Sequence, residues 1–352
     1  MSPAESAEAS PGNPRALTSR PGATKEALEL VLAAIPAASG AVVMGTGIVS
    51  VALFLDGRET PSRILLVVAG IVWAALGMIL AGRVLRNRAR LRLESRSPAA
   101  LTGVAGTAVL GTRLSLLGWG WAGIALLVIA LVLWLGLVGS VLRNWAVPTV
   151  GASFVLTVST ESLALLAAVL ALREHAPWLL GVSFVPFVLG LAFYLFVLAR
   201  FDLRQLVVGR GDHWVSGGAL AISTVVAGRI AITAKELGML GGEHGMLKGV
   251  ALGLWVLTIL WLPVLVVAEA LYRRSRYDVR RWSTVFPVGM YAACSFIVGK
   301  ALGAPAITDF ARVWVWVAVV VWLVVFAAML RRGLQLVRYA LPPRPTPRPR
   351  SA

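Results

Sequence analysis

The chain has 352 residues, of which 58% are hydrophobic and only 14% are charged, and its mean hydropathy is +0.83. These values exclude a soluble globular domain. The formal net charge is +17, but the Lys and Arg residues fall in clusters between apolar stretches, so the sequence predicts no nucleic-acid partner. A single cysteine, Cys294, excludes an internal disulfide framework and is predicted to be a small core residue.

Three segments are predicted along the chain. Residues 1–27, rich in Pro, Ser, Ala and Gly, are expected to be a disordered cytoplasmic segment, and residues 331–352 a basic, Pro- and Arg-rich cytoplasmic tail. Between them lies one transmembrane domain, 28–330, because a spanning helix needs about 20 apolar residues. The predicted spans, in chain order, are 28–55, 62–82, 99–117, 119–142, 147–171, 178–199, 214–237, 247–271, 283–303 and 313–330.

The distribution of positive charge orients these ten helices. Alternate loops collect 24 of the 33 Lys and Arg residues on one side of the membrane and seven on the other. Cytoplasmic loops carry such an excess, so both termini are predicted to be cytoplasmic. Tryptophans near the predicted helix ends are expected to anchor the protein at the headgroup level: Trp119, Trp121, Trp145, Trp178, Trp214 and Trp282.

Charged residues inside the predicted spans are costly and normally face a bundle interior or a wet cavity. Arg113, Glu161 and Arg229 lie in helices three, five and seven, each about 21–23 Å from the cytoplasmic edge at about 1.5 Å per residue. Equal depth predicts a shared polar passage. The alternative is that Glu161 neutralises one Arg in a structural pair. Glu269, in helix eight, is expected at the cytoplasmic interface beside Arg residues.

The first span contains Gly45, Thr46 and Gly47. Two roles fit these small residues. Small residues favour close helix packing. An unwound patch could instead expose peptide N–H groups to an anion. A dinucleotide-binding loop is excluded because no strand precedes the glycines.

Three separated strings resemble a known family: VMGTGI at 43–48, DHWVSGGALAI at 212–222 and RWSTVFPVGMY at 281–291. They are similar to the tellurite-resistance and dicarboxylate transporter family, which includes plant slow anion channels, malate permeases and sulfite efflux proteins. The similarity runs from about residue 28 to residue 330.

The resemblance implies an all-α fold of five helical hairpins around a central pore, with odd helices inside and even helices outside, commonly as a homotrimer. It also implies an aromatic gate in helix nine, which here is Phe286, with Pro287 as a site where the helix can kink. Counted from residue 283, Phe286 lies nearer the cytoplasm than Arg113 and Arg229. Either helix nine begins earlier, or the gate and the charges occupy different levels.

The sequence therefore predicts a protein of the bacterial inner membrane that moves small anions, such as a dicarboxylate, sulfite, chloride or nitrate, as a channel or a proton-linked transporter. No cofactor or metal site is predicted, because its three His residues fall in loops and no metal-binding motif occurs. A membrane-embedded enzyme and a sensory or scaffolding membrane protein remain the alternatives.

Overall fold

The structure, a computed structural model, describes residues 37–86, 88–208, 211–239, 244–272 and 278–340. These residues form helices joined by short connections, and their only β pairing is an isolated bridge between Thr149 and Phe201. The predictions for residues 1–27, for the start of the first span and for the end of the tail at 341–352 lie outside the described residues.

Ten long helices occur in the described part of the chain, and we label them α1 to α10. Their bounds are Gly40–Leu55 (α1), Glu59–Arg86 (α2), Thr102–Leu116 (α3), Gly120–Arg143 (α4), Val155–Arg173 (α5), Pro177–Leu198 (α6), Trp214–Glu236 (α7), His244–Leu271 (α8), Trp282–Leu302 (α9) and Pro305–Ala340 (α10). Nine are long and apolar enough to cross a membrane, and α1 is a shorter apolar helix. The all-helical class with nine to ten membrane-length helices is confirmed.

The bounds of two predicted helices differ most from the structure. Helix five starts at Val155, not at 147, because a 3₁₀ turn, Gly151–Phe154, precedes it and Thr149 pairs with Phe201 instead. Helix ten extends over Pro305–Ala340 rather than 313–330. Its first turns carry the charged pair Asp309 and Arg312, which hides them from a hydropathy window, and no proline interrupts the helix before it ends.

Burial separates the odd helices from the even ones. Every residue of α7 from Trp214 to Ala234 is buried, and so is every residue of α5 from Val155 to Ala171. In contrast, only 17% of the most apolar stretch of α2 is buried. The even helices therefore expose their apolar side chains outward, as a lipid-facing layer does.

The contacts among the odd helices form a closed cycle. Helix α1 packs against α3, α3 against α5, α5 against α7, α7 against α9, and α9 returns to α1. The even helices α2, α4, α6 and α8 each pack against the odd helix that precedes them, while α10 contacts α9 through Trp314 and α1 through Trp322. We call the five odd helices the inner ring.

Glycines allow the inner ring to pack closely. A Cβ atom on Gly218 of α7 would lie 2.7 Å from Cγ of Pro287 in α9, and one on Gly289 of α9 would lie 2.8 Å from Cγ2 of Ile48 in α1. Real Cβ atoms do not approach neighbours this closely, so a larger residue at either position would push two ring helices apart.

Candidate functional site

Phe286 lies near the start of α9 and is fully buried, with 0% of its surface exposed. Its two neighbours show the direction of its side chain. Val285 packs against Gly45 of α1, and Pro287 packs against Gly218 of α7. Because successive residues of a helix are about 100° apart, Phe286 points between α1 and α7.

The opposite face of α9 is turned to the even helices. Tyr291 packs edge-on against Trp314 of α10, and Ser295 accepts a hydrogen bond of 2.9 Å from the indole of Trp255 in α8. Phe286 therefore faces the interior of the inner ring.

Arg229 of α7 also faces the interior. Helix α9 lies against Gly218 and Gly228, while α5 accepts hydrogen bonds from Ser223 and Thr233. At about 100° per residue, Arg229 falls between these two faces, on the side away from the α8 contacts of the same helix. The ring thus directs one guanidinium group towards its own centre.

The environment of Arg229 leaves its charge only partly compensated. The side chain is 8% exposed, its Nε has no hydrogen-bond partner within the described residues, and the charged side chains that act on it are Glu236 and Arg173. Beyond it, the ends of α7 and α9 border a cavity of about 150 Å³ lined partly by Lys235, Glu236 and Lys300. Sequence reasoning did not single out these two lysines, since both lie at helix ends.

Phe286 and Arg229 occupy different levels of the ring. Pro287, next to Phe286, packs against Gly218, and Arg229 lies eleven residues beyond Gly218 on α7. At about 1.5 Å per residue, this separates the two side chains by about 16 Å along the axis. Helix α9 begins at Trp282, one residue before the predicted start, so an early start does not explain the difference.

Arg113 has partners on another side of its helix. Its Nε donates to Oγ of Ser62 at 2.8 Å, its Nη2 donates to Oε1 of Glu59 at 3.0 Å, and its guanidinium lies 4.4 Å from the ring centroid of Phe54. Ser62 in turn exchanges hydrogen bonds with Ser50 of α1. Arg113 thus ties together α1, α2 and α3, and its carboxylate partner is Glu59, not Glu161.

Glu161 lies at the junction of α5, α6 and α7. Its Oε1 accepts a hydrogen bond of 2.9 Å from Oγ of Ser223, and a Cβ on Gly190 of α6 would lie 2.7 Å from its Oε1. Ser223 precedes Arg229 by six residues on α7, so Glu161 lies about 9 Å from the level of Arg229. No hydrogen bond or ion pair joins Arg113, Glu161 and Arg229 to one another in the described structure.

The glycines of α1 pack against other helices. The helix is continuous from Gly40 to Leu55, without an unwound patch. Gly45 faces Val285 of α9, and a Cβ on Gly47 would lie 2.8 Å from Val109 of α3. Thr46 accepts a hydrogen bond of 3.0 Å from the indole of Trp322. This geometry matches the close-packing interpretation.

Glu269 links the starts of two odd helices at the end of the ring near Phe286. It accepts hydrogen bonds from Nη1 of Arg281 at 2.6 Å and from the indole of Trp214 at 3.3 Å. His213 lies close to the same carboxylate, with its Nε2 at 3.9 Å. The Arg273 and Arg274 side chains expected beside Glu269 lie outside the described residues.

A buried ring of helices inside an exposed apolar layer defines a multi-pass α-helical membrane protein. Residues 34–330 match the voltage-dependent anion channel family, and the chain belongs to that family. The resemblance to tellurite-resistance and dicarboxylate transporters is confirmed, because they are relatives within it. The members of this family are channels and transporters of anions.

Two curated relatives are uncharacterized membrane proteins of Mycobacterium tuberculosis, from strains CDC 1551 / Oshkosh and ATCC 25618 / H37Rv. Each is 33% identical to this chain over 123 residues, which is 34% of this chain. The match spans 62% of the relatives' own length. They support a membrane location.

Proposed function

We propose that this protein moves small anions through the interior of the inner ring and that Phe286 is the gate. One observation carries the proposal: Phe286 is fully buried between the α1-facing and α7-facing sides of α9, inside a closed cycle of five helices. Chloride, nitrate, sulfite and four-carbon dicarboxylates are the candidate substrates. The five hairpins of the chain would surround this pore, with odd helices inside.

An apolar ring at this position closes a narrow passage in two ways. It fills the space, and it removes the polar surface that water and a hydrated anion need, so the constriction dewets. Opening requires Phe286 to move. Pro287 supports such movement, because a proline inside α9 removes one backbone hydrogen bond and weakens the helix next to the gate.

Arg229 supplies the electrostatic attraction in this mechanism. Within the described residues Arg229 forms no salt bridge, and such a guanidinium inside the ring attracts an anion more strongly than the same group would in bulk water. Because Arg229 lies about 16 Å from the gate, it binds anions on one side of Phe286 and does not control opening directly. Gly45 and Gly47 shape the wall near the gate by bringing α1 close to α9 and α3, and Thr46 holds α10 against α1 through Trp322.

The location and assembly follow the same reasoning. The charge asymmetry of the loops supports cytoplasmic termini and insertion in a bacterial inner membrane. The exposed apolar faces of the even helices, for example Ile64, Ile71 and Leu135, are compatible with lipid and with a homotrimer. Cross-linking of the purified protein in detergent tests the trimer.

Anion flux from proteoliposomes tests the gate. We expect Phe286→Ala to raise chloride or nitrate flux at least tenfold over the wild type. The matched control is Phe154→Ala, which truncates another fully buried phenylalanine, one that packs against Tyr194 and Phe201. The control should lower stability and leave flux low, whereas equal flux in the wild type and folded Phe286→Ala protein contradicts the gate.

A further inference from the structure

Three helices of the inner ring receive the same hydrogen bond from a neighbouring even helix. In each case a tryptophan indole N–H donates to a threonine hydroxyl: Trp322 to Thr46 at 3.0 Å, Trp73 to Thr107 at 2.9 Å and Trp134 to Thr160 at 3.0 Å. The three threonines lie equally far along helical runs that begin at Ala37, Pro98 and Gly151. An even helix is thereby fastened to α1, α3 and α5 at one common level.

The equivalent junction on α7 is different. Ser223 lies equally far along α7, counted from Trp214, but no indole in the described part of the chain donates to it. Its hydroxyl instead donates to Oε1 of Glu161 at 2.9 Å, and α6 presents Gly190, where a Cβ would lie 2.6 Å from Cγ of Glu161. At this junction the hydroxyl therefore donates to a carboxyl group, whereas at the other three junctions the hydroxyl accepts from an indole.

Because its hydrogen-bond partner is a carboxyl group and not an indole, the α7 junction can gain or lose a proton. An indole N–H can only donate a hydrogen bond, so each threonine hydroxyl must accept the bond from its tryptophan at any pH. A carboxylate only accepts, whereas a carboxylic acid can also donate, so protonation of Glu161 changes the hydrogen bonds available to Ser223. Glu161 is fully buried and its Oε2 has no hydrogen-bond partner within the described residues. Burying an ionised carboxylate without a cation is costly.

The described ionisable groups on the helices packed around Glu161 have their contacts with other residues. On α6, the ring of Tyr194 packs against Phe154, at 5.5 Å between centroids. On α7, Arg229 interacts electrostatically with Glu236 and with Arg173 at the end of α5. None of these groups forms an ion pair with Glu161, so a proton is what can neutralise its carboxyl group in this packing.

We propose that Glu161 is a proton-binding site, separate from the anion path, whose occupancy sets the packing of α5, α6 and α7. The proton comes from water and returns to water. With the proton bound, the junction is neutral and the close packing of Glu161 against Ser223 and Gly190 is retained. When the proton leaves, the carboxylate requires water and the junction loosens. Helix α7 then shifts, and with it Gly218, which packs against Pro287 beside the gate. Opening is therefore favoured as the pH rises.

This inference rests on the proposed function for its main readout, anion flux from proteoliposomes at a series of equal internal and external pH values. We expect wild-type flux to rise with pH. A single site changes the ratio of its two forms about tenfold per pH unit, so the rise should span about two units. Glu161→Gln, a permanent mimic of the protonated side chain, should stay within twofold of the low-pH wild-type flux throughout.

Trp73→Phe is the matched control, because it removes the equivalent hydrogen bond to Thr107 of α3, a junction that lacks a carboxyl group. It should lose stability but keep the pH dependence. A folded Glu161→Gln protein with the wild-type pH dependence overturns the proposal and leaves anion transport intact. Absence of wild-type flux at every pH contradicts the proposed function instead.

Infrared spectroscopy of the purified protein tests the proton site without transport. The wild type should show a protonated-carboxyl C=O stretch that disappears as the pH rises, and Ser223→Ala should shift its frequency by removing one hydrogen-bond partner. If Glu161→Gln does not fold, this pair of samples decides. The absence of a titrating band, or a band that Ser223→Ala leaves unmoved, overturns the proposal.

Discussion

Replacement of Arg229 by glutamine tests whether its charge draws anions into the ring. Gln keeps a polar side chain, although a shorter one, and removes the charge. The change is best made in a Phe286→Ala background, so that the passage is open and small differences in current are measurable. Arg113→Gln is the matched control, because it removes another buried arginine whose partners are Ser62 and Glu59.

The expected size of the effect follows from the surroundings of Arg229. Two unit charges 4 Å apart attract by about 4 kcal/mol at an effective dielectric constant of about 20, and by about 1 kcal/mol in water. With 8% of the side chain exposed, the upper half of this range applies, about 2–4 kcal/mol. Because about 1.4 kcal/mol corresponds to a factor of ten, the anion-to-cation permeability ratio should fall at least tenfold.

Reversal potentials across planar bilayers under a KCl gradient measure that ratio. The Phe286→Ala protein should be anion-selective, and addition of Arg229→Gln should move its reversal potential towards zero. The Arg113→Gln control should leave the reversal potential unchanged. If Arg229→Gln preserves selectivity while Arg113→Gln abolishes it, the assignment of Arg229 to the ring interior is wrong.

Two further predictions concern packing. Gly218→Ala places a Cβ 2.7 Å from Pro287, so we expect a loss of about 1–3 kcal/mol in stability and increased leak of anions as α7 and α9 separate at the gate; a thermal shift assay and a flux assay check this, and unchanged stability refutes it. Arg113→Gln removes the fully buried partner of Glu59, so thermal unfolding in detergent should show a loss of about 1–3 kcal/mol, and an unaltered melting temperature argues against a structural tie.

Hydropathy predicted the membrane helices because each span depends on composition over about 20 residues, which a one-dimensional reading captures. It failed at the ends. Glu59, the partner of Arg113, is the first residue of α2 and lies before the predicted start at 62, so the sequence did not reveal the ion pair. Phe286 was predicted as a gate through the resemblance in helix nine alone, since burial between two helices leaves no local signal in the sequence.

Depth along a helix did not predict which partners the charged residues have. Counting residues gives the level of a side chain but not the direction in which it points. Arg113 and Glu161 turn towards even helices, whereas Arg229 turns inward, and each direction depends on which helices are neighbours. The tryptophans show the same limit. Trp73 and Trp134 lie in the middle of even helices and donate hydrogen bonds to threonines of the inner ring. Only the contacts between helices reveal these partners.

The most direct measurement of the central claim is single-channel conductance in a size series at position 286. With Phe, Leu, Val and Ala at this position, conductance should rise as the side chain becomes smaller, because each step removes volume and apolar surface from the closed level of the ring. Equal conductance across four folded proteins, or changes unrelated to side-chain volume, would contradict a pore closed by Phe286.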